Sequence, residues 1–166
     1  MRIPGLIFLF SIILFFNSRV LSQNVSINVL TQKSGIVQKG NTVFLEVTIN
    51  NTDVSSLVGV YKLKAQITVP DSTVSIQQDG HNLPTGWEII NNNGSVITLS
   101  NGKDIIAPSD ARTLLINIGG NKTGGPVSIS GQLFFSNGIS PGTEPGSLNG
   151  DNPADNYSTS SCKVTE

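Results

Sequence analysis

The chain has 166 residues, with ten lysines and arginines against eleven aspartates and glutamates and a net charge of −1. This length allows one ordinary domain with a single core. The basic residues are scattered along the chain and leave no patch for phosphate groups, so nucleic acid is excluded as a partner. A single cysteine excludes an internal disulfide, so stability must come from the core.

The first 22 residues are typical of a signal peptide. Arg2 supplies a positive charge, residues 3–16 are almost continuously apolar, and cleavage is expected between Ser22 and Gln23. Residues 23–166 then form one domain with eight basic and eleven acidic residues, a net charge of −3. The alternative is a retained membrane anchor, but an apolar run of about 14 residues is shorter than the roughly 20 needed to span a bilayer.

Short segments with alternating apolar residues follow one another along the rest of the chain. The organising segment spans residues 43–51, where alternate apolar side chains share one face: Val43, Leu45, Val47 and Ile49. Glycine, proline, asparagine and aspartate separate this segment from its neighbours. The predicted strands are residues 25–30, 43–51, 60–69, 74–76, 87–89, 96–99, 113–118, 127–135 and 157–164.

The spacing of these strands predicts an all-β protein. No window after residue 22 has the 3.6-residue period of a helix. Regularly spaced short strands with turn residues between them predict an antiparallel β-sandwich of about seven to nine strands, with a closed barrel as the alternative.

Three stretches of turn residues occur in a characteristic order: residues 37–43 before the organising strand, residues 83–87, and residues 150–156 before a final strand rich in serine and threonine. In this order they resemble the DUF11 and CARDB modules of bacterial exported and surface proteins. The style of the signal segment and of residues 156–161 is similar to that of Bacteroidetes proteins. The resemblance implies an extracellular immunoglobulin-like sandwich without catalytic residues.

Four residues with side-chain oxygens crowd near the end of the chain: Asp151, Asn152, Asp155 and Asn156. Calcium is a hard ion that takes six to eight oxygen ligands, so these residues are a candidate calcium site, and no other cofactor is predicted. The spacing does not match a helix-loop-helix calcium loop. The alternative is a plain turn, because aspartate and asparagine are common turn residues.

Aromatic side chains offer a second kind of site, because exposed rings stack on the apolar faces of sugars. Trp87 and Tyr61 are the ligand-binding candidates under a carbohydrate hypothesis, with Phe134 and Tyr157 as further rings. Trp87 could instead fill the core beside Ile89.

Three residues could suggest other chemistry. His81 is the only histidine, without a second metal ligand nearby, and its turn position predicts a solvated side chain. Residues 138–142 match the G-x-S-x-G motif around Ser140, but Pro141 follows the serine and no helix comes next, which favours a coincidence of turn residues. Cys162 is expected to be a buried thiol, with intermolecular pairing as the alternative.

These observations predict a secreted or cell-surface domain that is not an enzyme. We expect it to bind a surface protein or polysaccharide, in adhesion or assembly, through loops and exposed strand edges. A small carbohydrate-binding module is the first alternative. A hydrolase built around Ser140 or the carboxylates is the second.

Overall fold

The computed structural model describes residues 23–70, 72–136 and 151–166. The predicted signal peptide and the motif around Ser140 lie outside these residues. Within the described part of the chain there is no α-helix, and no helix is long and apolar enough to cross a membrane. The strands are β1 (Val25–Thr31), β2 (Ile36–Gln38), β3 (Thr42–Asn51), β4 (Leu63–Thr68), β5 (Val74–Ile76), β6 (Glu88–Asn92), β7 (Val96–Ser100), β8 (Ala111–Gly120), β9 (Gly124–Phe135) and β10 (Tyr157–Thr165).

The strands form two sheets that pack face to face. One sheet has four strands in the order β1-β3-β8-β5, and the other has six in the order β2-β10-β9-β4-β7-β6. All neighbouring pairs are antiparallel except β2 and β10, which are parallel. The predicted sandwich is therefore confirmed. Strand β2 was missed because three residues are too few to show an alternating pattern.

The core lies between the two sheets and is centred on β3. This strand pairs with β1 on one side and β8 on the other. Its inward side chains are almost fully buried, with at most 5% exposed: Val43, Leu45, Val47 and Ile49. Because alternate residues of a strand face opposite sides, this burial follows from the alternation in the sequence.

A glycine lies where β9 packs closely against β1 of the other sheet. Gly131 of β9 faces the core, and a Cβ added there would lie 2.4 Å from the Cγ2 atom of Val29 on β1. Such a distance is well inside van der Waals contact, so any side chain at this position would push β1 away. The glycine lets β1 and β9 pack directly against each other.

Two strands begin three residues away from their predicted starts. Strand β4 begins at Leu63 rather than residue 60, because Tyr61 has a left-handed φ of 56° and donates its N–H to the Gly102 carbonyl at 2.9 Å. Strand β9 begins at Gly124, inside the predicted loop. Backbone pairing with β10 carries that strand beyond the last apolar side chain, which sequence alternation alone does not reveal.

Side chains from β10 close the free edge of β1. The outward N–H groups of Val29 and Thr31 donate to the hydroxyl oxygens of Ser158 and Ser160, each at 3.0 Å. The Thr31 hydroxyl is also 3.0 Å from the Ser160 hydroxyl. These bonds satisfy backbone groups that β3 cannot reach, and they tie the four-stranded sheet to the six-stranded one.

We expect the double substitution Ser158→Ala and Ser160→Ala to destabilise the fold. Each change leaves a partly buried backbone N–H without an acceptor, which costs about 1–3 kcal/mol of unfolding free energy. Urea unfolding measures the loss. Thr159→Ala, which changes an exposed residue between the two serines, should stay within about 0.5 kcal/mol of the parent. Equal effects from both variants would show that the serines do not support β1.

Candidate functional site

The two sheets have four edge strands: β1, β5, β2 and β6. Three of them are short or have their backbone edge bonded to other residues. Strand β1 is closed by the serines of β10, and β2 and β5 have only three residues each. The N–H of Ile76 on β5 also donates to the Gly94 carbonyl in the β6–β7 hairpin at 2.7 Å. An exposed edge can pair with another chain only where its backbone groups are free, so β6 is the remaining candidate.

Strand β6 leaves its outer backbone edge open. It pairs only with β7, and among the described residues no other backbone–backbone hydrogen bond involves residues 88–91. A bulge between Ile89 and Asn91 places Ile90 outside the regular pairing. Ile89 and Ile90 are 40% and 39% exposed, so two adjacent apolar side chains face solvent. We call residues 88–91 the β6 edge.

The adjacent isoleucines at positions 89 and 90 are a sequence signal for this edge, although they do not fit a simple alternating pattern. Two consecutive isoleucines cannot both face the core of a regular strand, because successive side chains point to opposite faces. The pair therefore requires either a bulge or an exposed apolar residue. The structure has both.

An ion pair anchors the start of β6. Trp87 is 7% exposed, and its indole N–H donates to Asp104 Oδ2 at 2.9 Å. The Arg112 guanidinium donates to the two oxygens of Asp104 at 2.7 and 3.2 Å and to Asp110 at 2.6 Å. These carboxylates raise the pKa of Arg112, and Arg112 lowers the pKa of Asp110. Every polar atom in this network has its partner, so its role is to fix the base of β6.

The structure does not present the two predicted sugar-binding residues as a joint platform. Trp87 packs in the core, which is the alternative that the sequence offered for it, so little of its ring is exposed for stacking on a sugar. Tyr61 lies partly buried in the turn before β4, where its carbonyl accepts a hydrogen bond from the Ser136 hydroxyl. Both residues border the turn at residues 101–104 through hydrogen bonds to Gly102 and Asp104.

Two other aromatic residues share an exposed face. Tyr157 is 56% exposed and lies opposite Gln132 in the β9–β10 pairing, and Phe134 is 38% exposed two residues further along β9. Residues two apart in a strand point to the same side, so the two rings lie on the outer face of the six-stranded sheet. The β4 residues opposite Phe134 and Gln132 on this face are Lys64 and Gln66.

The predicted calcium residues gather at the start of β1. Asp151 Oδ1 accepts the N–H of Val25 at 3.1 Å, and Asp151 Oδ2 accepts the Asn156 amide at 2.5 Å. Asp155 Oδ2 accepts the Asn24 amide at 3.3 Å. Asn152 instead caps the short 3-10 turn at Pro153–Asp155 by accepting the N–H of Ala154.

The described residues hold no cluster of three or more His, Cys, Asp or Glu side chains arranged to hold a metal. Asp151, Asn152, Asp155 and Asn156, which we call the Asp151 group, contain two carboxylates, and their other side-chain oxygens belong to amides.

An apolar surface that the sequence did not predict lies at one end of the sandwich. Val54, Leu57 and Ile105 are 84%, 51% and 50% exposed. Hydrogen bonds in both directions join Val58 to Ile106, whose side chains are fully buried. Leu57 and Ile105 adjoin this bridge and therefore face the opposite side, toward solvent.

The cleft between β2 and β3 and the thiol of Cys162 are both poorly suited to ligand binding or catalysis. A cleft of about 140 Å³ lies between β2 and β3, which is smaller than the roughly 300–1,000 Å³ of ligand pockets. Cys162 is fully buried, as predicted, and burial raises the pKa of its thiol. A buried thiol held in its protonated form is a poor nucleophile.

His81 is partly buried rather than solvated as expected. Its Nδ1 atom accepts the N–H of Asn117 on β8 at 3.0 Å, and its Nε2 atom lies 3.5 Å from the Asn92 amide. Burial lowers the pKa of His81 below its usual 6.5, and the Gln77 carbonyl and the Asp79 carboxylate oppose this shift. The turn residues around it had suggested exposure, but the segment after β5 continues along the edge of β8.

We expect the unfolding free energy to fall as the pH drops from 7.5 to 5. A histidine with a lowered folded pKa binds fewer protons in the folded state, so stability is complete above the unfolded pKa near 6.5 and is lost as the pH falls through the folded value. His81→Asn keeps an acceptor near Asn117 but does not titrate, so its stability should be flat over this range. Urea unfolding at several pH values tests this, and parallel slopes for both proteins would contradict it.

No protein-family model matches the chain, and no curated protein matches it. Solved structures do share its fold. A cohesin module from the family 33 glycoside hydrolase of Clostridium perfringens is 14% identical, with a TM-score of 0.54 over 88% of this chain and 98% of that one. The major pilin subunit of Bacillus cereus is 11% identical, with a TM-score of 0.53 over 85% of this chain and 40% of that one.

A third similar structure is the CARDB domain of a Pyrococcus furiosus protein, solved in complex with di-metal ions. It is 12% identical, with a TM-score of 0.50 over 87% of this chain and 90% of that one. At these identities the likeness establishes the fold. The chain is an immunoglobulin-like β-sandwich similar to a CARDB domain, as the sequence predicted, whereas the resemblance to DUF11 modules and the Bacteroidetes style stay predictions.

Proposed function

We propose that the chain is an exported, non-catalytic domain that binds a partner protein through the β6 edge in adhesion or assembly at the cell surface. One observation carries this proposal: β6 combines an open backbone edge with two exposed isoleucines. The occupant is an extended segment of the partner, added as a strand beside β6. Backbone hydrogen bonds would supply affinity, and Ile89 and Ile90 would supply apolar contact.

The composition of β6 supports this proposal. Exposed edges that avoid pairing usually carry lysine or proline, and β6 has neither. Its only charged residue is Glu88. At the other end, the Asn92 side chain is bound to the Gln77 carbonyl at 2.7 Å, so the open stretch ends there. A partner segment of about four residues fits between Glu88 and Asn91, at roughly 3.3 Å per residue.

Two of the structures with this fold are named as a cohesin module and a major pilin subunit. These names fit a role in assembly. The export part of the proposal depends on the predicted signal peptide. The partner's identity is open to experiment.

Photo-crosslinking on intact producing cells tests the edge directly. A photoreactive residue in place of exposed Asn91 should give one defined protein adduct. Adding Ile90→Lys should reduce that adduct at least tenfold, because a charge buried against an added strand costs more than about 1.4 kcal/mol. Thermal unfolding should be unchanged in this variant, since Ile90 is exposed.

A photoreactive residue at Lys163 is the matched control. Lys163 is exposed on β10, four strands from β6 in the same sheet. The same adduct from both positions, or an adduct insensitive to Ile90→Lys, would contradict binding at the β6 edge.

A second candidate function is glycan binding on the outer face of the six-stranded sheet. The observation that favours it is the exposed pair Phe134 and Tyr157, with Gln132, Gln66 and Lys64 beside them. Flat aromatic faces stack on sugar rings, and the amide and ammonium groups can bond sugar hydroxyls. This surface replaces Trp87 and Tyr61 as the carbohydrate hypothesis.

If glycan binding is the function, Phe134→Ala and Tyr157→Ala should each weaken retention on surface polysaccharide. Loss of one stacked ring worth about 1.5 kcal/mol corresponds to roughly a tenfold lower affinity. Phe44→Ala, on the outer face of the other sheet, is the control and should bind normally. Affinity gel electrophoresis measures the retention. Wild-type protein that migrates freely in the polysaccharide gel would eliminate this candidate.

A further inference from the structure

Two buried oxygens without hydrogen-bond partners lie in the segment that follows residue 150. They are Asp155 Oδ1 and Asn156 Oδ1, and the only other such side-chain atom in the described parts of the chain is Ser56 Oγ. Asn156 is only 9% exposed. A buried carboxylate or amide oxygen without a partner is unfavourable by several kcal/mol in apolar surroundings, so each needs an explanation.

The neighbouring polar side chains bond to other groups rather than to these two oxygens. Asp151 uses one oxygen for the N–H of Val25 and the other for the Asn156 amide nitrogen. The Asn24 amide nitrogen is shared between Thr52 and Asp155 Oδ2. None of these contacts supplies a donor to the two free oxygens.

The free amide oxygen belongs to the Asp151 group. The nitrogen and oxygen of a side-chain amide are about 2.3 Å apart, from standard bond lengths. Because the Asn156 nitrogen is 2.5 Å from Asp151 Oδ2, the free oxygen of Asn156 lies within about 5 Å of that carboxylate. Asp155 is the adjacent residue and brings the second carboxylate to the same end of β1.

The charges of this group are also unbalanced. The described ion pairs of Arg112 are with Asp104 and Asp110, and no described contact joins Asp151 or Asp155 to a basic side chain. Water could donate a hydrogen bond to each free oxygen but would leave the negative charges of Asp151 and Asp155 uncompensated. A cation satisfies the oxygens and the charges together.

We propose that Asp151, Asp155 and Asn156 bind a calcium ion that fastens the segment after residue 150 to the start of β1. Calcium fits this set because it accepts carboxylate and amide oxygens in irregular geometry and completes its shell with water. Magnesium demands near-ideal octahedral geometry and gives up its water reluctantly. Two carboxylates make a weak site, of the class of extracellular modules with dissociation constants of about 10⁻⁴–10⁻³ M.

This site is separate from the β6 edge, so either proposal can fail without the other. The contacts of Asp151 and Asp155 are with Asn24 and Val25, at the edge of the four-stranded sheet that β1 forms. Strand β6 ends the six-stranded sheet on the opposite side.

Thermal unfolding of the purified, chelator-treated protein in calcium chloride tests the proposal. The midpoint should rise by several degrees between zero and 10 mM calcium, as expected for a ligand that binds only the folded state. Isothermal titration should give a matching dissociation constant. Asp155→Asn should weaken calcium binding at least tenfold, and Asp79→Asn, the same change at an exposed residue elsewhere, should not.

A further variant separates a bound ion from a merely structural role. Asn156→Asp places a third carboxylate beside Asp151, so the protein should unfold at a lower temperature without calcium and gain more from calcium than the parent does. A purely structural amide would give the first effect without the second. The proposal is overturned if calcium leaves the parent's midpoint unchanged, if magnesium raises it equally, or if the calcium response survives in Asp155→Asn.

Discussion

Burial of the inward face of β3 against the six-stranded sheet is the constraint on which the structure depends. The chain has one cysteine, so no internal disulfide can contribute to stability. The alternating residues of β3, from Val43 to Ile49, therefore supply the centre of the core, and β1 and β8 extend it on either side. The glycine at position 131 allows the sheets to approach closely enough for β1 to pack against β9. Hydrophobic burial of this kind is the main favourable term in folding.

The edge strands of the two sheets differ in how far other parts of the described chain cover their backbone groups. The edge of β1 is closed by serine hydroxyls, and β5 is joined to the β6–β7 hairpin. Strand β6 is fixed at its base by Trp87 and Asp104 and at its end by Asn92, while the outer backbone of the stretch between them has no partner among the described residues. A rigid open edge lowers the entropy cost of adding a strand, because the receiving backbone is already ordered.

Two acidic groups in the structure show opposite electrostatic arrangements. Asp104 and Asp110 face the Arg112 guanidinium, which holds them through several hydrogen bonds. Asp151 and Asp155 converge on β1 without a basic partner in the described residues, and two oxygens of their segment are buried and free. The first network is complete within the chain. For the second, we proposed that a cation from solution supplies the missing positive charge.

The sequence by itself determined the all-β class, most of the strands and the inward residues, because alternation of apolar side chains is a local property. It also grouped Asp151, Asn152, Asp155 and Asn156 as oxygen donors, because they are close in the chain, whereas the structure shows Asn152 capping the turn at Pro153–Asp155. Only the tertiary structure decided that Trp87 is core, that His81 contacts β8, and that Phe134 and Tyr157 share a face. These facts depend on pairing between distant strands, which the order of residues does not specify. Which edge remains open is likewise a property of both sheets together, since an edge is free only when no other part of the chain covers it.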